Sequence, residues 1–287
     1  MLDIISVGPG EAVLLTDDAK QAIDRADAVW CAARHAVLVP PEKARPLSPL
    51  EGAIEQMRLS SDAGQSAAVL VSGDAGLYSL LEMLKRKIGG EYLRVHPGVS
   101  ALQLFAARLG VSWQDAKILS AHGRALSEST LCHAVRTHRQ TFCFLDAAHN
   151  PAWVRESLNL GGLENVRLFV GERLSYSDER TEAYDPDATY DPLCMAYIEN
   201  DAPESGLPPV GLSDEAFIRG KTPMTKRDVR ALVVSALHLK PNGVVWDIGA
   251  GTGSVSVECA RQCPLGEVYA VEMKDEALDL IRRNAER

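Results

Sequence analysis

The sequence predicts an α/β protein, with a domain of two α/β lobes followed by the start of a second, Rossmann-like domain. Over residues 1–200, short apolar runs alternate with amphipathic helical segments, which is typical of a largely parallel sheet covered by helices. A stretch dense in proline and glycine then interrupts this pattern. After residue 222 the alternation resumes around a glycine-rich loop. These three observations give the predicted order of domains.

Each predicted strand of the first lobe, residues 1–111, is an apolar run that ends at a turn. Strands are predicted over residues 2–7, 28–31, 67–72 and 92–95, and helices over 16–25, 77–87 and 99–109. The pattern restarts after Gly110 in a second lobe, residues 112–200. Strands are predicted there over residues 117–120, 141–145, 166–171 and 193–198, and helices over 129–137 and 151–158. The segment 176–191 is polar and rich in turn residues.

A linker is predicted over residues 201–222, because chain breakers accumulate there. They are Pro203, Gly206, Pro208, Pro209, Gly211 and Gly220. Residues 223–287 then form one predicted β-α-β-α unit behind a leading helix. That helix is predicted over residues 225–239 with Thr225 as its N-cap. The later strands are predicted over residues 244–248 and 267–271, and the later helices over 254–261 and from 275 onward.

The composition excludes several classes of protein. With 46% hydrophobic and 24% charged residues among 287, the chain is typical of a globular protein and not of a disordered, collagen-like or disulfide-rich one. The 39 acidic and 30 basic residues give a net charge of −9, which disfavours nucleic acid as a partner. No apolar run approaches the ~20 residues that span a bilayer, so no membrane association is expected. The cysteines form no Cys-x-x-Cys pair and the histidines show no ligand spacing, so we predict reduced thiols, a cytoplasmic location and no metal site.

The strongest motif is the loop Gly249-Ala250-Gly251-Thr252-Gly253, which follows a predicted strand. Its glycines allow the backbone to lie against a nucleotide-like ligand, and the next helix presents free N–H groups there. A dinucleotide fingerprint would place its third glycine at residue 254, where this chain has Ser254. Asp247 suits a positively charged sulfonium better than a pyrophosphate, and Glu272 is placed to accept hydrogen bonds from a ribose. The loop favours S-adenosylmethionine, with an NAD-dependent oxidoreductase as the alternative.

Three loops of small residues follow predicted strands of the first lobe. They are Gly8-Pro9-Gly10, Gly73-Asp74 and residues 97–101. In an open α/β sheet, ligands bind at the carboxyl ends of the strands. We therefore expect the three loops to converge on one ligand.

In this order the three loops resemble the class III methyltransferase fold of tetrapyrrole methylases, over residues 1–200. The later glycine loop resembles the class I methyltransferases that use S-adenosylmethionine. Further segments, at residues 121–124, 146–151, 171–176 and 211–217, are similar to corrin-ring methylases of cobalamin synthesis. Residues 222–230 together with 246–254 are similar to the start of a decarboxylating partner methylase, which is fused to the former in some organisms.

The resemblance implies two S-adenosylmethionine sites, one in the first domain and a second, partial one in the C-terminal segment. The cofactor-binding residues that it implies are Gly8, Pro9, Gly10, Gly73, Asp74, Leu77, Ser100 and Ala101 in the first domain, and Thr225, Gly249, Ala250, Gly251, Thr252, Gly253 and Glu272 in the second.

The implied substrate is a small molecule, a corrin precursor methylated at ring carbons 5 and 15 with loss of the ring C acetate carboxyl as carbon dioxide. His122 and Arg124 are candidates to meet substrate carboxylates, since a guanidinium suits bidentate anion recognition. A structural turn with a solvated arginine explains these two residues equally well. No catalytic acid or base is identified.

A complete class I methyltransferase needs several further strands and helices, whereas residues 223–287 supply two strands. We therefore expect an incomplete C-terminal domain in a truncated chain, with the first methylation possible and the decarboxylating step absent. An exposed apolar sheet edge there predicts poor order or association. Because class III methylases are often dimers, we expect a homodimer. A non-catalytic, cofactor-binding scaffold is the alternative to an enzyme.

Overall fold

The computed structural model describes residues 1–10 and 12–287. The chain splits into two compact units. Unit 1 comprises Met1–Leu126, Gln140–Asn159 and Glu164–Asn200, and unit 2 comprises Ser127–Arg139, Leu160–Leu163 and Asp201–Arg287. Within the described ranges, no helix combines the length and the apolar character that crossing a membrane requires.

The first lobe of unit 1 is a parallel five-stranded sheet with helices on both faces. Its strands, in the order β3-β2-β4-β1-β5, are β1 (Leu2–Ser6), β2 (Ala28–Cys31), β3 (Ala44–Pro46), β4 (Ala67–Val71) and β5 (Leu93–His96). The helices are α1 (Asp17–Arg25), α2 (Leu50–Asp62), α3 (Leu81–Ile88) and α4 (Ala101–Leu109). Strands β1 and β4 are buried along their whole length, as central strands covered on both faces must be. Their apolar runs explain why the sequence predicts them well.

Helix α2 is absent from the sequence predictions. Its buried residues Ala53, Ile54 and Met57 have helical spacing and pack against one face of the sheet. Gly52 in its first turn and two serines near its end weaken the local signal, so packing stabilises this helix more than intrinsic propensity does. The predicted start of the next helix at residue 77 is wrong, because Tyr78 has φ +51° and α3 begins only at Leu81.

The second lobe has a mixed sheet, so the prediction of a largely parallel arrangement is wrong there. Its strands, in the order β6-β7-β10-β8-β9, are β6 (Lys117–Ser120), β7 (Gln140–Phe144), β8 (Arg167–Glu172), β9 (Arg180–Ala183) and β10 (Cys194–Glu199). Only β6 and β7 pair in parallel, while the other pairs are antiparallel. No helix separates β8, β9 and β10, and such direct connections permit antiparallel pairing. Strand β9, at the sheet edge, is partly exposed and polar, which is why its segment resembles a turn region.

Two further helices belong to this middle stretch of the chain. Helix α5 (Glu128–Thr137) starts at Ser127, whose hydroxyl accepts the Thr130 N–H, and α6 (Pro151–Leu160) follows β7. Phe105 of α4 packs with Phe142 and Tyr197 of the second sheet in one buried cluster. Unit 1 thus joins its two sheets through a common apolar core.

The C-terminal part of unit 2 is built on a parallel pair of strands. Its elements are α7 (Arg227–Ala236), β11 (Val244–Ile248), α8 (Ser254–Gln262), β12 (Glu267–Val271) and α9 (Asp275–Ala285). Helix α8 contacts both strands. Val244, Trp246 and Ile248 remain 61%, 65% and 71% exposed, and Trp246 stacks on Tyr269 at 4.7 Å. One side of this small sheet therefore presents an apolar surface.

The prediction that Thr225 caps the following helix is wrong. Helix α7 begins at Arg227, and its first N–H is accepted by Asp214 Oδ1 at 3.0 Å. The carbonyl of Thr225 accepts a hydrogen bond from Arg230 at 2.7 Å. A residue from the preceding segment thus supplies the cap, which local sequence spacing could not indicate.

Part of the predicted linker is bound firmly into unit 2. Glu258 accepts the N–H groups of Gly211 and Leu212 at 3.1 and 2.7 Å and receives Arg230 Nε at 3.2 Å. Arg230 also lies over the Phe217 ring at 4.5 Å. Both charged side chains of this pair are fully buried. The ion pair therefore fixes residues 211–217 against the helices.

Candidate functional site

The three predicted loops of the first lobe do lie against one another at the carboxyl ends of β1, β4 and β5. Gly8 and Gly73 exchange reciprocal backbone hydrogen bonds of 3.2 and 2.7 Å. Asp74 then joins the loops, because its Oδ1 accepts the Gly76 N–H at 2.8 Å and its Oδ2 accepts the Gly98 N–H at 3.2 Å. One carboxylate therefore sets the relative positions of two loops.

Close backbone approach explains the glycine at position 98. A Cβ on Gly98 would lie 2.7 Å from Ser6 Cβ and 2.9 Å from the Ser6 carbonyl oxygen. The hydroxyl of Ser6 in turn accepts the Ala75 N–H at 2.9 Å. The end of β1 is thus packed tightly between the loops that follow β4 and β5.

The remaining predicted residues of the first domain lie on the same loops. Ser100 caps α4 in a capping box with Gln103, so its hydroxyl accepts a backbone N–H of the helix. Ala101 is the first residue of that helix, Leu77 donates its N–H to the Asp74 carbonyl at 3.1 Å, and Pro9 is buried between Gly8 and Gly10. The structure therefore brings all eight predicted residues to one edge of the sheet.

Tyr176, from the second lobe, reaches the first of these loops and was not among the predicted site residues. A Cβ on Gly10 would lie 2.0 Å from the Tyr176 hydroxyl, so glycine at position 10 leaves the space that the phenol occupies. The loop around Tyr176 is strained, since Arg173 and Ser175 have φ values of +46° and +76°. Glu179 holds it by accepting the Ser175 N–H and pairing with Arg108 at 2.5 Å. Strained non-glycine residues are common at functional sites, but the sequence does not reveal them.

The two candidate substrate residues lie after β6. Arg124 is exposed and places its guanidinium over the Tyr78 ring at 5.2 Å, while His122 is exposed beside it. Tyr78 donates a hydrogen bond to the Ile118 carbonyl at 2.7 Å and packs edge-on against Phe144. The arginine therefore rests on an aromatic ring that connects the two lobes.

In unit 2, the glycine loop and the carboxylate after β12 meet as expected. Glu272 accepts the N–H groups of Gly251, Met273 and Lys274 at 3.0, 2.8 and 3.1 Å. These backbone hydrogen bonds, led by that from Lys274, hold the pKa of the Glu272 carboxyl below its ordinary value. The carboxylate is therefore ionised and fixed at the mouth of the loop.

The loop of unit 2 has room for a ligand. A Cβ on Gly249 would meet no atom within 4 Å, and the buried Thr252 hydroxyl has no hydrogen-bond partner. Asp247 is held by the Ser256 hydroxyl at 2.6 Å. Gly253 has φ +75°, and a Cβ there would lie 3.1 Å from the Ile281 side chain. Ala250 N–H, like that of Gly249, bonds to the Val271 carbonyl.

Both loop clusters fit the chemistry of S-adenosylmethionine, whose sulfonium is cationic. The carboxylates Asp74 and Glu272 are anchored by backbone N–H groups, and the glycines allow close approach of a ligand. Among the described residues, no group of three or more His, Cys, Asp and Glu side chains is arranged to hold a metal ion.

His35, which follows β2, is fully buried, and this burial is expected to make stability depend on pH. Burial, with the nearby Arg34 charge, lowers the pKa of His35 from 6.5 to about 4. The unfolded chain binds this proton more readily than the folded chain between those two pH values. Stability is therefore complete above pH 6.5 and falls as the pH drops toward 4, by up to about 3 kcal/mol.

Urea unfolding of the wild type and of His35→Gln at neutral pH and near pH 4.5 checks this effect. The substitution is expected to remove about 2–3 kcal/mol of the pH dependence. His122→Gln, at an exposed histidine, is the control and is expected to keep the wild-type slope. Equal slopes in wild type and His35→Gln would contradict the buried, neutral state of His35.

The comparisons with known proteins agree with this arrangement. Residues 1–185 match the family of Tetrapyrrole (Corrin/Porphyrin) Methylases, and residues 215–287 match the Precorrin methyltransferase domain. A precorrin-6Y C(5,15)-methyltransferase (decarboxylating) of Sinorhizobium sp is 32% identical over 99% of this chain and 70% of that protein. A cobalt-precorrin-6B C(15)-methyltransferase (decarboxylating) of Salmonella typhimurium is 48% identical over 26% of this chain and 40% of that protein.

A solved structure shows the same fold. The methyltransferase CobJ superposes with a TM-score of 0.59 at 19% identity, over 70% of this chain and 94% of that one. The family matched by residues 1–185 is one of methylases, and the Sinorhizobium relative that aligns along nearly the whole sequence is a methyltransferase. Neither is an oxidoreductase or a scaffold. The chain therefore belongs to the tetrapyrrole (corrin/porphyrin) methylase family and is an S-adenosylmethionine-dependent methyltransferase.

Proposed function

We propose that residues 1–200 methylate precorrin-6Y at ring carbon 5 in cobalamin synthesis, and that residues 223–287 belong to the domain that serves methylation at ring carbon 15 with decarboxylation of the ring C acetate. The observation that carries the proposal is the convergence of three loops: the loop after β1 is bound to the loop after β4 through Gly8 and Gly73, and Asp74 joins the loops after β4 and β5. The alignment with a C(5,15)-methyltransferase along 99% of the chain, both domains in order, supports the same substrate.

In the first domain, binding and orientation are the tasks of the loop residues. Bound S-adenosylmethionine would supply an electrophilic methyl group. Gly8 and Gly73 would let the cofactor approach the backbone, and Gly10 makes room for Tyr176 beside it. Pro9, Leu77 and Ala101 line the same edge, Asp74 fixes the loops, and Ser100 orders α4. Holding two reactants in line supplies a large part of the acceleration of a transfer between them. No covalent nucleophile is needed for such a transfer.

The second proposed cofactor site uses the residues around the loop of unit 2. Glu272 and the loop residues 249–253 would hold the cofactor. Glu272 would accept hydrogen bonds from the ribose hydroxyls with the carboxylate lone pairs that do not bind backbone N–H groups. Thr225, which does not cap helix α7, is assigned to this site as well. The unpartnered, buried Thr252 hydroxyl supports a polar ligand there.

Substrate contact is proposed for His122 and Arg124. The guanidinium of Arg124 is oriented by the Tyr78 ring, which reduces the entropy lost when it binds a carboxylate. Because Tyr78 follows the Asp74 loop directly, this arrangement connects substrate binding with the cofactor loops.

Product analysis tests the proposal. Incubation with precorrin-6Y and S-adenosylmethionine carrying a labelled methyl group is expected to give a methylated corrinoid, detected by mass spectrometry. Transfer of one methyl group without carbon dioxide would assign activity to the first domain alone, and two methyl groups with carbon dioxide to both. Absence of transfer, with tight cofactor binding, would favour a scaffold, and binding of NADH in preference to S-adenosylhomocysteine would favour an oxidoreductase.

We further propose that the enzyme is a cytoplasmic homodimer that binds neither nucleic acid nor membrane. The six cysteines are free and buried, in keeping with a reducing compartment. Light scattering coupled to size exclusion measures the oligomeric state, and a monomer at micromolar concentration would contradict it.

A further inference from the structure

A cluster of three side chains at the carboxyl ends of β2 and β4 has no role in the proposed cofactor sites. Arg34 and His35 follow β2, and Ser72 follows β4, its neighbour in the sheet. Arg34 Nη2 donates to Ser72 Oγ at 2.6 Å, and Ser72 Oγ lies 2.8 Å from His35 Nε2. Ser72 directly precedes Gly73, so the cluster adjoins the loop that Asp74 holds.

The hydrogen bonds define the protonation state of His35. Arg34 Nε also donates to His35 Nε2, at 3.3 Å, so that nitrogen must be the acceptor. The Ser72 hydroxyl therefore accepts a hydrogen bond from Arg34 and donates one to His35 Nε2. The ring proton then lies on Nδ1, which is buried and has no partner among the described residues. The cluster is consequently neutral apart from the guanidinium.

Arg34 is a fixed cation without an anion. Its side chain is exposed, and within the described residues it makes no ion pair. Two of its five N–H groups bond to Ser72 and His35, which leaves three free, including both on Nη1. Arg58, by contrast, is an exposed arginine that lies beside a carboxylate, since its guanidinium is 3.3 Å from Glu55. A guanidinium held by neutral groups is prepared for an external carboxylate.

The same segment borders an apolar hollow. Ala33 and Ala36, on either side of Arg34 and His35, line a cavity of about 590 Å³ together with Leu47, Leu50, Leu80 and a second arginine, Arg45. A ligand that suits both features has an apolar body with carboxylates at its periphery. A corrin precursor with acetate and propionate side chains has this chemistry.

We infer that Arg34, oriented by Ser72 and His35, binds a peripheral carboxylate of the corrin substrate. This inference rests on the proposed function for the identity of the ligand, but the anion site rests on the cluster alone. Arg34 is thus a specificity-determining residue that is distinct from Arg124.

Binding of a cobalt-free corrinoid with free carboxylates, and of the same corrinoid fully esterified, tests the inference. Arg34→Gln is expected to weaken binding of the free acid about 10- to 100-fold and to leave the ester and S-adenosylhomocysteine unchanged. Ser72→Ala keeps the Arg34 charge but removes the hydrogen bond that orients it. This variant is expected to bind the free acid about 3- to 10-fold more weakly than the wild type does. The affinity of Arg34→Lys for the free acid should fall between those of the wild type and Arg34→Gln, because lysine keeps the positive charge but loses the bidentate geometry of the guanidinium.

Arg86→Gln is the matched control, because Arg86 is exposed and, among the described residues, its side chain bonds to the Glu82 carbonyl of its own helix alone. It is expected to bind the free acid as the wild type does. With precorrin-6Y as substrate, Arg34→Gln should raise KM and leave kcat nearly unchanged. Wild-type affinity of Arg34→Gln for the free acid, or equal loss of acid and ester, would overturn the inference.

A titration with malonate separates this inference from the proposed function. The Nε–H resonance of Arg34 is expected to shift saturably in the wild type, and the shift should weaken in Ser72→Ala. No shift would overturn the anion site whatever the substrate. A saturable shift in a protein that binds no corrinoid would support the anion site and overturn the corrin assignment together with the proposed function.

Discussion

Asp74→Asn is expected to weaken binding of S-adenosylhomocysteine to unit 1 about 10- to 100-fold. The carboxylate accepts N–H groups on both oxygens, from Gly76 and from Gly98. An amide can present an oxygen to only one of them, so the other N–H would face an NH₂ group. Loss of one hydrogen bond to a charged acceptor costs about 1.5–3 kcal/mol. Here that loss would weaken the connection between the loops after β4 and β5.

Isothermal titration of the intact chain measures this effect, with Glu55→Gln as the control. Glu55 is exposed and pairs with Arg58 at 3.3 Å on the surface of α2, so its substitution should leave cofactor affinity unchanged. Unit 1 is expected to remain folded in Asp74→Asn, with a free energy of urea unfolding within about 3 kcal/mol of the wild-type value. Wild-type affinity in Asp74→Asn would show that the bridge between the loops does not organise the cofactor site.

Glu258→Gln is expected to destabilise unit 2 by about 3 kcal/mol. The substitution keeps the shape of the side chain but leaves the buried Arg230 guanidinium without its closest anion, and removing one partner of a buried pair costs about 3–5 kcal/mol. Asp214 still faces Arg230 at 3.4 Å, which places the expected value at the lower end of that range.

Hydrogen exchange resolved by peptide measures this loss, because it reports on residues 205–287 separately from unit 1. Protection of α7 and α8 should fall, together with that of residues 211–217, while β1 and β4 keep theirs. Asp279→Asn removes an exposed pair with Arg283 and is the matched control, expected to cost at most about 0.5 kcal/mol. If both variants exchange alike, the buried pair does not hold the segment.

The sequence predicts strands best where an apolar run ends at turn residues, whether or not the strand is central in its sheet. Strands β2, β6, β11 and β12 have the predicted boundaries, because each is an apolar run ended by turn residues. Helix α2 and the edge strands β3 and β9 are missing from the predictions. Their formation depends on packing or on pairing with a neighbour, which hydrophobic periodicity does not report.

Within the candidate site, the glycines could be identified from the sequence and their contacts could not. The loop at residues 8–10 is evident from its position after a strand. That Tyr176 fills the space beside Gly10 depends on the packing of two lobes. Likewise Asp214, not Thr225, caps α7, since a cap can come from a segment that is close only in space.

By itself the sequence determined the α/β class, the strand ends that carry the glycine loops and the acidic residues beside them, because backbone sterics and the alternation of apolar residues are local properties. Only the tertiary structure decided that Asp74 joins two loops, that Arg34 is oriented by Ser72 and His35, and that Glu258 holds residues 211–217. Each of these contacts joins residues from different elements. Their positions are set by strand order and core packing, which no local pattern contains.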